Sequence, residues 1–118
     1  MIKLKRGMVV DVNLDPTKGS ETGKTRPCVV VTHNQYNAVV PIVQVVPITA
    51  WREKKARIIT NVELLPSAEN GLTKQSIADC LQTRPIDRRH RLVRVRGKLS
   101  AADMQQIDTA LKRIFALT

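Results

Sequence analysis

The sequence predicts a mainly β domain with a C-terminal helix, an α+β fold in which the strands form a small barrel or strongly curved antiparallel sheet. Three observations lead there. Short apolar runs, several rich in β-branched residues, recur along residues 8–98 between clusters of turn formers. Only residues 100–114 carry apolar side chains at helical spacing. The 118 residues show no repeat, low-complexity tract or linker, so residues 1–118 read as one domain, long enough to bury a core without disulfides or metal.

The elements follow in order. Met8, Val10, Val12 and Leu14 alternate with Val9, Asp11 and Asn13, the pattern of a half-buried strand. Residues 15–24 are turn formers and charges, hence a loop. Residues 27–32 are a continuous apolar run that suits a strand buried on both faces, with Pro27 at its first residue, where a missing N–H is tolerated. Residues 33–37 connect it to a second long apolar run, 39–49, which Pro41 and Pro47 make an edge strand or one broken at its ends. A basic link at 51–57, a strand at 58–65 and a turn at 66–71 come next. Residues 76–81 and 92–98 are further short strands; in the latter, Val93 and Val95 are expected to face inward, with Arg94 and Arg96 outward beside Leu92. Ser100 is an N-cap with Asp103 in the first turn, and Met104, Ile107, Leu111 and Ile114 make one apolar stripe for packing on the sheet.

Composition narrows the function. Twenty Lys and Arg against ten Asp and Glu give a formal charge of +10, beyond what solubility requires, and favour a polyanionic partner. Over half of that excess lies in residues 84–98, with seven basic residues and one acid, Asp87; the bland alternative is a solvated face. Tyr36, Trp51 and Phe115 are the only aromatics, so base stacking can contribute little to any nucleic-acid binding. Cys28 and Cys80 lie in apolar stretches, in no C-x-x-C pair and without His33 or His90 at ligand spacing, and read as inert buried thiols. Residues 1–6 are basic and lead into a strand-like run, unlike a signal peptide, and no apolar stretch is long enough to span a membrane, so a cytoplasmic protein is expected.

Ordinary catalytic signatures are missing: there is no G-x-S-x-G, P-loop or dinucleotide-binding glycine pattern. The residues that stand out are polar groups bordering apolar strands, namely Arg26 before Pro27, Thr49 ending Val45-Val46-Pro47-Ile48, and Gln82 and Arg84 after Leu81. The segment Asp11-Val12-Asn13-Leu14-Asp15-Pro16-Thr17-Lys18-Gly19-Ser20-Glu21, followed by Arg26-Pro27-Cys28-Val29-Val30-Val31, resembles the N-terminal signature of the MazF/PemK family of toxin endoribonucleases. Asn34 and Asn37, Val46-Pro47-Ile48-Thr49, and residues 76–87 with Gln82-Thr83-Arg84-Pro85-Ile86-Asp87 extend the resemblance in order.

That resemblance implies a homodimer of compact barrels related to the SH3 and gyrase-inhibitor-toxin folds, with single-stranded RNA such as mRNA in a groove at the dimer interface. It implies sequence-selective cleavage without metal or other cofactor, by attack of the nucleotide's own 2′-hydroxyl, and neutralisation by a cognate antitoxin. Arg26 and Thr49 are then the catalytic candidates, Arg26 as an electrostatic stabiliser because a guanidinium does not give up its proton at neutral pH. Lys18, Ser20, Glu21, Ser76, Gln82 and Arg84 are the RNA-binding candidates. Each has a plainer reading: Arg26 paired with Glu21 or Asp15, Thr49 as an ordinary strand end, Lys18, Ser20 and Glu21 as a mobile turn, Ser76 and Gln82 satisfying backbone groups. Arg88, Arg89, Arg91, Arg94 and Arg96 read as general field and antitoxin docking. Many family members carry an acid just before the Gln matched by Gln82; here Leu81 stands there, and Asp79 is the alternative base if the strand is regular. The rival readings are a non-cleaving RNA-binding barrel and a topoisomerase-directed toxin of the same fold.

Overall fold

The computed structural model describes residues 2–118; Met1, the first residue of the basic opening segment, lies outside them. Seven strands form one antiparallel sheet: β1 (Met8–Asn13), β2 (Thr25–Val30), β3 (Ile42–Ala50), β4 (Asn61–Leu64), β5 (Ser76–Asp79), β6 (Arg84–Asp87) and β7 (Leu92–Lys98). One helix of length, α4 (Ala101–Ile114), follows; α1 (Asn34–Asn37), α2 (Glu53–Ala56) and α3 (Arg88–Arg91) are single turns. The strand order is β4-β5-β3-β2-β1-β7 with β6 also on β3, so the sheet curves without closing. Its extents, 37 × 32 × 32 Å, are nearly equal.

The run at 39–49, expected at an edge or broken at its ends, is instead the centre of the sheet. One flank of β3 pairs with β2, and the other is shared: β6 takes Ile42 to Val45, and β5 takes Ile48 to Ala50. Pro47, which has no N–H to give, falls in the gap where β6 ends and β5 begins, so its missing donor interrupts no ladder on that flank. A 3-10 turn at Cys80–Gln82 carries the chain across the same gap. It ends β5 at Asp79, two residues short of the expected strand, and β6 is a strand that sequence periodicity did not show. Pro27 likewise lies inside β2, opposite Asp11, rather than at its first residue.

Both faces of the central strands are packed. Val29, Val31, Val46 and Ile48 join Val9, Val62, Leu64, Ala78 and Cys80 under α4, which supplies Ile107 and Ala110 with Met104, Leu111 and Ile114 alongside. This is the packing role expected of the stripe. Val10, Val12, Leu14, Cys28, Val30, Val43, Val45 and Ile86 make a second cluster on the opposite face. Ser100 caps α4 as expected, its Oγ accepting the Asp103 N–H at 3.1 Å.

β7 departs from its expected orientation. Val93 and Val95 are exposed and Leu92 packs on the second cluster; Arg94 stays largely exposed as expected while reaching Asp11 of β1, and Arg96 turns in toward it. Two register shifts against β1 break the alternation, and the inward group available there is the buried Asp11 carboxylate, which takes both arginines. The turn at 66–71 lies against the end of β7. The Lys98 N–H donates to Glu69 O at 2.8 Å, and a Cβ on Gly97 would stand 2.1 Å from that same oxygen. A Gly97→Ala variant should therefore lose about 1–3 kcal/mol of stability, measured by denaturant titration, because backbone rather than a flexible side chain must move; a parent-like midpoint would show that this turn yields freely.

Candidate functional site

Polar side chains gather where buried strands end. The β2–β3 register places Cys28 opposite Pro47, and its continuation brings Arg26 beside Thr49. The β3–β5 register puts Ser76 opposite Ala50. Arg26, Thr49 and Ser76 line one cavity of about 280 Å3, together with Thr25, Lys74 and Arg96. The lining includes no carboxylate.

Arg26 is not paired with Glu21 or Asp15. Its Nε donates to Gly23 O at 2.7 Å, while Glu21 accepts the Lys18 N–H at 2.8 Å and Asp15 the Lys24 N–H at 2.9 Å. A guanidinium fixed through Nε at a strand start leaves its outer nitrogens as a preorganised fork for an oxyanion. Thr49 is 7% exposed, and its Oγ1 lies 3.5 Å from Lys55 Nζ. Ser76 is buried with its hydroxyl donating to Lys74 O at 2.8 Å, so it already satisfies a backbone group.

Glu21, Gln82 and Arg84 line a different cavity, of about 410 Å3, beside Pro16 and Leu81. Gln82 spans the gap to the loop between β1 and β2: its Oε1 accepts the Thr22 N–H at 3.2 Å and its Nε2 donates to Ser20 O at 3.1 Å. Arg84 Nη1 donates to Leu14 O at 3.0 Å, and Arg91 holds Asn13 O and Asp15 O. The loop at 14–24, which carries Lys18 and Ser20, is thus tethered from β6 and α3.

The 3-10 turn after Asp79 removes the regular strand on which Asp79 and Leu81 would have shared a face. Leu81 is exposed, while Asp79 is half-buried at the head of that turn, where its side chain makes no capping hydrogen bond. Burial raises the Asp79 carboxyl above its ordinary value, against the opposing pull of the Lys55 ammonium and the nearby Gln82 backbone N–H. Cys28 and Cys80 are buried, and desolvation pushes each thiol up to about 12, so neither is a nucleophile. Among the described residues no three His, Cys, Asp or Glu side chains converge as metal ligands.

The basic run is less uniform than a charged surface face. Arg88 is buried and donates to Asn37 O and Ile2 O; Arg89 pairs with Asp87; Arg94 and Arg96 share Asp11. Sequence reasoning missed Lys55 and Lys74 and did not single out Arg96. Lys74 had no local signal, and Arg96 was obscured by the arginines around it.

A family model described as PemK-like, MazF-like toxin of type II toxin–antitoxin system matches residues 5–115. The Endoribonuclease MazF9 of Mycobacterium tuberculosis is 36% identical over 114 residues, covering 92% of this chain and 93% of that protein. Among solved structures, the M. tuberculosis toxin MazF-mt6 superposes with a TM-score of 0.75 at 26% identity, over 94% of this chain and 98% of that one. MazF from Deinococcus radiodurans reaches 0.83 over 99% and 100% of the two chains; at 21% identity it attests the fold.

The raised Asp79 carboxyl has a consequence for stability. The native state holds this proton to higher pH than the unfolded chain, so stability falls as pH rises from the ordinary carboxylate value through the raised one. Asp79→Asn removes the half-buried charge while keeping a side chain of the same shape. Its melting temperature should exceed the parent's at neutral pH, and the gain should vanish near pH ~3, where the parent is protonated too. An equal difference at both pH values would contradict the assignment.

Proposed function

The chain belongs to the PemK-like, MazF-like toxin family of type II toxin–antitoxin systems, and from that premise we propose that it is a sequence-selective endoribonuclease that cuts single-stranded RNA without a metal ion. The observation that carries the reading is Arg26 beside Thr49, at the ends of two adjacent buried strands, in a cavity lined by cations and hydroxyls. Such a site suits a phosphodiester.

The 2′-oxygen attacks the neighbouring phosphorus in line, the P–O5′ bond breaks, and the products are a 2′,3′-cyclic phosphate and a free 5′-hydroxyl. Negative charge grows on the equatorial oxygens and then on the departing 5′-oxygen. Arg26 meets the first of these with donors already fixed by Gly23 O, so little reorganisation is needed as the charge develops. Thr49 donates its hydroxyl to the same phosphate and fixes the line of attack, and Lys55 at its Oγ1 directs that hydrogen outward. The 2′-hydroxyl proton passes to a base, and the departing 5′-oxygen takes a proton from water to become the 5′-hydroxyl. Asp79, which lines neither cavity but lies beside the Lys55 that reaches Thr49, is the alternative base, and its raised carboxyl takes a proton more readily than an ordinary aspartate. Requirement for the 2′-hydroxyl excludes DNA as a substrate.

Glu21, Gln82 and Arg84 form the second part of the RNA path, with Lys18 and Ser20 on the loop that Gln82 holds. Ser76 keeps Lys74 in place through its carbonyl. The working unit is a homodimer in the cytoplasm, where a cognate antitoxin covers the groove until it is degraded and growth arrest follows. No described helix is long and apolar enough to cross a membrane.

Incubation with single-stranded RNA in excess chelator should yield fragments with 5′-hydroxyl ends. RNA left intact at high protein concentration, with DNA supercoiling inhibited instead, would replace this reading by that of a topoisomerase-directed toxin. Arg26→Ala should cut roughly a hundred- to thousand-fold more slowly than the parent while melting at a similar temperature; an unchanged rate would remove Arg26 from the mechanism.

A further inference from the structure

Arg26 does not account for the cavity it lines. Arg96 and Lys74 border the same space, from β7 and from the segment before β5. A single phosphodiester brings one negative charge, whereas three cationic side chains and no carboxylate surround this volume of about 280 Å3. The two arginines are held in the same manner. Arg26 is fixed through Nε on Gly23 O; Arg96 is fixed through Nε on Asp11 Oδ1 at 2.6 Å and through Nη1 on Gly71 O at 3.0 Å. Nη2 of Arg96 makes no hydrogen bond among the described residues, and neither does Lys74 Nζ.

Asp11 makes this placement specific. Its side chain is 9% exposed and accepts from both Arg94 and Arg96, yet the two arginines differ: the Arg94 side chain is 62% exposed and the Arg96 side chain 18%. Two cations on one carboxylate leave one positive charge over, and Arg96 is the one of the pair that reaches the cavity. The turn at 66–71 holds it there, because Gly71 lies so close to Arg96 O that a Cβ on Gly71 would stand 2.4 Å from it.

We propose that Arg96 and Lys74 form a second phosphate subsite, which binds the backbone phosphate next to the one cleaved, with Asp11 as the positioning residue for Arg96. The proposal rests on the reading of the cavity as an RNA site. With the cleaved phosphate on Arg26 and its neighbour on Arg96 and Lys74, two successive phosphates are held, which orients the intervening nucleotide for in-line attack. Substrates that lack the neighbouring phosphate then bind and react less well, although the bond to be broken is unchanged.

The test reads binding and not cutting, so it is independent of the chelator assay that decides the nuclease reading. A short single-stranded RNA carrying a 2′-deoxy nucleotide at the cleaved position is titrated with parent, Arg96→Ala, Lys74→Ala, the double variant and Arg113→Ala across a range of salt. Each phosphate contact on a single strand contributes about 0.7 to the slope of log K against log salt. The double variant should flatten the slope by about that amount and each single variant by part of it, whereas Arg113→Ala, exposed on α4 and outside the cavity, should keep the parent slope. Lys74 makes no side-chain bond that folding depends on, so its variant remains informative if Arg96→Ala proves unstable. Parent-like slopes for Lys74→Ala and Arg96→Ala, or an equal flattening by Arg113→Ala, would overturn the subsite in favour of a diffuse field.

Discussion

Burial of the central strands on both faces is the constraint from which the rest of the architecture follows. Alternate residues of β2 and β3 enter two separate apolar clusters, so along Cys28–Val30 and Val45–Ile48 neither strand has a solvent face, and Gln44 nearer the start of β3 is held by Thr83. Chemistry is confined to the ends. Arg26 lies near the start of β2, Thr49 near the end of β3, Ser76 opens β5, and Gln82 and Arg84 follow where the chain crosses from β5 to β6. Strands packed on both sides move little, and side chains at their ends inherit that rigidity. Pro47 belongs to the same economy: it sits where β3 changes partners, and that change of partner brings Gln82 and Arg84 to the surface beside the loop they hold.

A chain of formal charge +10 must also place its arginines without neutralising them. Backbone carbonyls solve this. Arg26 donates to Gly23 O, Arg84 to Leu14 O, Arg88 to Asn37 O, and Arg91 to Asn13 O and Asp15 O. A carbonyl fixes the guanidinium geometrically and satisfies an N–H, but it cancels no formal charge, so the field remains available to a polyanion. Asp108, Glu53 and Asp87 each pair with one arginine, whereas Asp11 is a buried anchor that takes two. Removing one partner from a buried ion triad is costly, and the group is better understood as fixing position than as adding stability.

Sequence made part of this legible. Valine runs identified the buried strands, Ser100 and the apolar stripe identified α4, and strand-end position singled out Arg26, Thr49, Gln82 and Arg84, from which the family resemblance picked Arg26 and Thr49 as a pair. What periodicity could not show was partner choice. Nothing in residues 39–49 indicates that two short strands share one flank of β3, so Pro47 read as a sign of an edge. Nor does alternation survive the two register shifts of β7, where Val93 and Val95 emerge and the arginines turn to Asp11. Residues 84–98 looked like one charged surface because charge density carries no information on which arginine is buried, which caps a turn and which borders a cavity.

The residue before Gln82 brings these strands of argument together. A regular strand would have set Asp79 and position 81 on one face, making the two interchangeable as bases. The 3-10 turn instead leaves Leu81 exposed at the rim of one cavity and Asp79 half-buried beside Lys55, whose ammonium also reaches Thr49. Asp79 is therefore coupled to the phosphate site through a cation, not presented beside Gln82 as an open carboxylate. The electrostatic part of catalysis is insulated from that difference. Arg26 owes its geometry to Gly23 and the buried run behind it, and Arg96 owes its own to Asp11 and the 66–71 turn. Neither depends on which group takes the proton, so the base can differ within one fold while the cationic frame that meets the phosphate stays in place.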